Sequence, residues 1–410
     1  MISKIKKFIK SNDGLFLFLK QGLIYFRYLK SIGKKGLYDN QLQSQTAEKI
    51  VVSANDKHCY FGYYDKSPLD SKSNRMLFVR LPKDAKECDV AEVCIYDMAT
   101  KRQTVIGKTS AWNWQQACME QWVNDEVVSY NRYDIERKEY QAVLHNLSTG
   151  EDKVLSRAAY AYNKDFSKYL SLNFYRLNKY AKGYGYPYQI DSMDGKEDGI
   201  WEVDVETGDI KLLLTLSDVM AYNPHYSEGI QHYINHVAYC PDENYVMFIH
   251  RWQERGETFT SRLLLFNKGT GELTTILDNG HVSHYCWKNA KELLIFATNK
   301  EMQKGYMIVN IYTGETSMVE GLPLEDGHPS YSADGRWILT DTYPNNGRKQ
   351  YLFLFDTEKK ELNVVDKLWS PFKYYNEFRC DLHPRWSKDN RYVIVDNTAT
   401  GVRTLNIYRV

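Results

Sequence analysis

The sequence predicts an all-β fold, a seven-bladed β-propeller preceded by a short helical extension. Two observations carry that expectation. First, a phrase of strand, tight turn and second strand recurs. It is fullest at 327–341, GHPSYSADGRWILTD, returns at 382–395 as LHPRWSKDNRYVIV, and appears degraded as HVAY (236–239) and HYCW (284–287). Second, a Thr-Gly turn marks a later strand pair at 147–151, 205–209, 268–272 and 312–315, with variants at 97–101 and 356–360. Units of four strands repeating at roughly 40–60 residues are the signature of a propeller.

Taken in order, residues 1–46 read as a basic amphipathic helical extension and 47–410 as the propeller. The extension carries an apolar run, 15–28, broken by Lys20 and Arg27. It lacks the uninterrupted core and small-residue cleavage site of a secretory signal, and a membrane span needs about 20 apolar residues with few charges. Two readings stand for residues 1–35: peripheral contact with an anionic membrane, or packing on the main domain. Seven units then begin near Phe61, Met119, Ala159, His236, His284, His328 and His383. The last lacks a fourth strand, and AEKIVVS (47–53) can supply it, closing the ring and removing an exposed edge.

Charge nearly cancels, 53 basic against 52 acidic residues, so no basic patch argues for nucleic acid. The seven Cys are scattered with no CxxC pair, which suits a reducing compartment rather than a disulfide framework. A cytoplasmic location is expected, with peripheral attachment at the inner membrane face as a variant. The 33 Tyr, 16 Phe and 9 Trp fit strand packing first and sugar stacking second.

The first strand of a blade lines the channel, so equivalent positions face one another around the axis. His236, His284, His328 and His383 hold one register in four consecutive units, while Phe61, Met119 and Ala159 hold it in the first three. A His that merely capped each repeat would recur in most blades, not in one sector. Imidazoles clustered in one sector suit a divalent metal, with one left over as a base.

The runs INHVAYCPDENYVMFIHRW, HVSHYCW, GHPSYSADGRWILTD and DLHPRWSKDNRYVIVD resemble blades of the oligogalacturonate lyases, within the TolB-like propellers. That resemblance implies a cytoplasmic seven-bladed enzyme that cleaves oligouronides by β-elimination, with a manganese-type ion held by late-blade His and Gln side chains. It also implies a mid-ring His base assisted by an Arg. Carried over by position, His236 is the base, and His284 and His383 are metal ligands. Asp381 stands where the family places a His, and His328 is available from the sixth blade to complete the set. The assisting Arg has no counterpart at Trp201-Glu202-Val203-Asp204, and Arg176 is the candidate for that role.

The expected function is therefore a metal-dependent lyase acting on a uronate-containing oligo- or polysaccharide, with Mn²⁺ favoured and Ca²⁺ or Zn²⁺ as alternates. Arg385, Arg251, Arg379, Tyr64 and His232 are the expected substrate contacts. His232 belongs, with His225, to an extra segment (217–233) ahead of the base. For the phrase FGYYDKSP, packing in blade one outweighs sugar stacking. A non-catalytic propeller that scaffolds capsule or envelope polysaccharide assembly is the alternative. A hydrolase with paired carboxylates is weaker, since Asp65 and Asp381 are the best pair available.

Overall fold

A computed structural model describes residues 13–41, 49–224, 230–253 and 259–410. Seven four-stranded antiparallel sheets follow one another along the chain, one per blade. The strands of blades one to six run within 57–109, 121–156, 161–215, 231–277, 282–318 and 330–369. Blade seven takes three strands from 385–409, and Lys49–Val52 pairs with Thr404–Arg409 as its fourth. The expected closure of the ring by the N-terminal strand is thus present, with Ala47 and Glu48 outside the described residues. Val52 is fully buried in that seam.

Period-2 geometry explains why these sequences stack as blades. In the strand Tyr245–Gln253, Val246 and Phe248 join the core shared with blade three, while Met247 and Ile249 join the core shared with blade five. A sheet covered on both faces needs such a continuous apolar run, with alternate side chains serving opposite neighbours. The Thr-Gly turns follow from backbone conformation. Gly150, Gly208, Gly271 and Gly314 have φ of +75°, +78°, +78° and +69°. A Cβ at Gly150 or Gly271 would meet nothing, so the left-handed conformation, not space, selects glycine. In the two variant turns Lys101 and Lys360 occupy the same region, at φ +60° and +56°.

A polar residue at the fifth position of a blade's second strand latches the next blade's approach to the channel. Asn131 of blade two bonds the backbone N–H and C=O of Ala159. Asp341 of blade six accepts the His383 backbone N–H at 3.2 Å. Asp396 of blade seven accepts those of Phe61 and Gly62, each at 3.1 Å. These latches hold the register positions identified in the sequence.

Two boundaries differ from expectation. The inner strand of blade four begins at Gln231, five residues before His236, because the extra segment becomes a helix, Leu216–Ala221, and then extends the strand. His225 lies outside the described residues. A bulge between Asn235 and Ala238 then turns His236, at φ +50°, into the channel. In blade one the inner strand, Lys57–Tyr60, ends before Phe61, so FGYYD is a crossing segment. The N-terminal helix α1 (Asp13–Ser31) lies against the connection between blades six and seven. Tyr25 and Tyr28 meet the Phe372 ring at 5.6 and 5.0 Å, and Lys20 donates to Asn376 at 2.6 Å.

Candidate functional site

The four histidines of the register meet in the channel. Ring centroids lie 5.8 Å apart for His236 and His284, 4.1 Å for His284 and His328, and 4.3 Å for His328 and His383. All four are buried. His383, like His236, adopts a left-handed backbone, φ +43°, at the point where the chain enters its blade.

A carboxylate orients each of two imidazoles. Asp341, closing strand two of blade six, accepts His328 Nδ1–H and the His328 backbone N–H, both at 2.8 Å. An acceptor at Nδ1 fixes the tautomer and leaves the Nε2 lone pair free. From the connection between blades five and six, Asp326 lies 3.2 Å from His284 Nδ1 and accepts from Ser283 Oγ at 2.6 Å. Among the described residues, Nε2 of His328 and of His383 have no hydrogen-bond partner although both are buried. Asp381 completes a group with His328 and His383 whose ligand atoms all lie within 4.8 Å of one another. Two buried, unpartnered imidazole nitrogens beside a carboxylate, one with a second carboxylate behind it, form a donor set that fits a divalent cation. Asp381 also accepts from Arg379 Nε at 2.7 Å, which offsets its charge.

Burial sets the protonation states. It lowers the pKa of all four imidazoles, His328 to about 4, and places His236 and His383 well below the usual value. Burial also pushes Asp341 up to about 7 against its N–H donors. At Asp326, burial acts upward, but His284 and Ser283 hold the carboxyl at about 2.

His236 stands apart as a potential base. The Tyr63 hydroxyl is 2.9 Å from its Nδ1, the Tyr160 hydroxyl accepts its backbone N–H at 3.0 Å, and the Tyr285 hydroxyl donates to its C=O at 2.8 Å. A cavity of 360 Å³ opens beside it, lined by Tyr63, Tyr64, Lys66, Tyr160 and Trp287 among others. That volume lies within the range of about 300–1,000 Å³ common for small-ligand pockets. Tyr64 lines the same cavity, its ring 5.3 Å from His328 and 5.8 Å from His284. Like Tyr63, it is shared between cavity and imidazoles, and its hydroxyl donates to the Tyr285 C=O at 2.7 Å and accepts the Tyr285 N–H at 2.9 Å.

The expected arginines divide. Arg379 stays near the histidines, through Asp381 and over the Tyr343 ring at 5.1 Å. Arg251 donates to Asn235 Oδ1 at 3.2 Å, one residue from His236. Arg176 is held elsewhere: its guanidinium is bonded to Asp198, the Met193 carbonyl and the His232 carbonyl, bracing the short helix α2 (Phe174–Tyr180). Arg385 is likewise structural in its contacts. Its Nε donates to Tyr63 O at 2.7 Å and its Nη2 to Asp396 at 2.8 Å and to Gly62 O, so it pins the Tyr63–Tyr64 segment. His232 pairs with His250 at 3.0 Å, away from the cluster. Sequence reasoning missed Asp326 and Asp341 and undervalued Tyr63. For Asp341 a signal was present, since WILTD and VIVD end on the same repeated acid.

No family model matches the sequence, and no curated protein matches it. Solved structures do. An oligogalacturonate lyase from Vibrio parahaemolyticus superposes with a TM-score of 0.66 at 14% identity, over 90% of this chain and 95% of that one. An oligogalacturonate lyase in complex with manganese gives 0.67 at 16% identity over the same shares. This chain shares the seven-bladed propeller fold of those two structures. At such identities the likeness establishes fold, and chemistry rests on this chain's own residues.

Proposed function

We propose that this protein is a metal-dependent lyase that cleaves a uronate-containing saccharide by β-elimination. The observation that carries the reading is the pair of buried, unpartnered Nε2 atoms of His328 and His383 beside Asp381. His284, with Asp326 behind it, is the adjacent imidazole and the natural further ligand. A divalent cation held there, of manganese type with calcium or zinc as alternates, would supply Lewis acidity to a substrate carboxylate.

The chain's own residues account for the rest. β-Elimination removes the proton α to the uronate carboxylate and expels the sugar linked at the β position. His236, kept neutral by burial and oriented by Tyr63, is placed to take that proton from a sugar in the adjoining cavity. Tyr63 supports the imidazole through the same hydrogen bond as the proton arrives. Arg379 and Arg251 are the cations left near the cluster for carboxylates of neighbouring uronates. Arg385 and Asp396 fix Tyr63 in place, which makes them positioning residues.

The test is incubation of the metal-loaded protein with a panel of acidic oligosaccharides, following the absorbance of an unsaturated uronate product. Elimination by the native protein and its loss in His236→Ala support the reading. Binding of the same saccharides with no unsaturated product from any of them contradicts it and leaves the scaffold alternative.

A further inference from the structure

The N-terminal helix has two apolar faces, and the propeller covers one. Ile24, Tyr28 and Ser31, spaced i, i+4 and i+7, are the half-buried positions of its described side chains. On the opposite side Leu19, Leu23 and Phe26 repeat that spacing, joined by Leu29, at 43%, 46%, 52% and 48% exposure. Ile32 and Leu37 extend the apolar surface beyond the helix. A helix resting on a soluble domain needs a single apolar stripe. A second one of this size marks a surface with another occupant.

Charge identifies the occupant. Residues 1–35 contain nine Lys and Arg against one Asp. Lys30, Lys34 and Lys35 follow the outer stripe, and none forms an ion pair among the described residues. The Lys30 ammonium lies 4.4 Å from the centre of the Phe26 ring, so the cation sits at the rim of the apolar face. A second copy of this chain would bring two such basic surfaces together, which like-charge repulsion opposes. No described helix is long and apolar enough to cross a membrane. An apolar face ringed by lysines and too short to span matches the interfacial plane of an anionic bilayer.

We propose that α1 docks the propeller on an anionic lipid surface, with Leu19, Leu23, Phe26 and Leu29 entering the headgroup–acyl boundary and Lys30, Lys34 and Lys35 facing the lipid phosphates. The helix is fastened to the blade six–seven connection through Phe372 and Asn376, so docking holds the propeller at the membrane rather than on a loose tether. This inference does not depend on the lyase reading.

The full-length protein is sedimented with vesicles of phosphatidylcholine alone and of phosphatidylcholine with phosphatidylglycerol. The expected result is binding to the anionic vesicles only, weakened by salt. Leu23→Glu/Phe26→Glu should abolish it. Lys30→Ala/Lys34→Ala/Lys35→Ala should weaken it roughly a hundredfold, taking about fivefold per lysine. Both variants alter exposed side chains, and an unchanged melting temperature confirms folding. No binding by the native protein overturns the proposal, as does equal binding by Leu23→Glu/Phe26→Glu. A native dimer that this variant converts to monomer also overturns it, by assigning the stripe to a second copy.

Discussion

Replacing Asp341 with Asn separates the support of the proposed metal site from the support of the fold. The Asp341 carboxylate accepts three N–H groups: His328 Nδ1, the His328 backbone and the His383 backbone. An amide in its place offers one oxygen and turns an NH₂ toward at least one of those donors. His328 then loses the partner that fixes its tautomer, and the His383 backbone loses its latch. Losing the hydrogen-bond partner behind a ligating imidazole costs about 10–100-fold in metal affinity, or roughly 1.4–2.7 kcal/mol. Asp396→Asn is the control, because Asp396 sits at the same point of the repeat but latches Phe61 and Gly62 and touches no imidazole. Titration calorimetry with Mn²⁺ should show weakened binding for Asp341→Asn and near-native binding for Asp396→Asn. Native affinity in Asp341→Asn, or equal losses in both, would refute the assignment of Asp341 as the support of His328.

Three further outcomes follow from the structure. His236→Ala should lower elimination by about 10²–10⁴-fold while leaving the metal stoichiometry unchanged, as checked by product absorbance and elemental analysis. Arg385→Ala leaves Asp396 buried without its cation and should cost about 3–5 kcal/mol in denaturant unfolding, whereas Arg385→Met/Asp396→Leu should cost less than the sum of the single changes. His58 is held neutral, its pKa pushed down to about 4 by burial and then by Arg403, while Nε2 meets Lys83 O at 3.1 Å and Nδ1 accepts the Arg403 N–H at 2.9 Å. A depressed folded pKa means that this contribution to stability is present above about 6.5 and lost as pH falls toward 4. Its slope is at most about 1.4 kcal/mol per pH unit. Melting curves across that window should be flatter for His58→Gln.

The fold was legible because its signals are local. Positive-φ glycines mark the turns, alternation marks the strands, and the missing last strand could be sought at the other terminus. The histidine cluster was legible for a related reason, since a repeat converts sequence register into spatial adjacency. Side-chain direction and distant partners were not legible. Arg385 stands beside His383 in sequence, yet its guanidinium bonds Gly62 and Tyr63, more than 300 residues away along the chain. Arg176 reads from the sequence as an available cation, and nothing local reveals that Asp198 claims it. Tyr63 read as packing because its hydroxyl partner, His236, comes from the fourth blade. Asp341 could have been found, since the acid at the fifth position of strand two recurs in blades six and seven.

Bound metal tests the central claim most directly. Elemental analysis of the purified protein after equilibration with manganese should find close to one divalent ion per chain. A folded His328→Ala/His383→Ala protein, treated identically, should hold almost none. Equal metal in both, or none in the native protein, would contradict the account and leave the four histidines as packing residues of the channel.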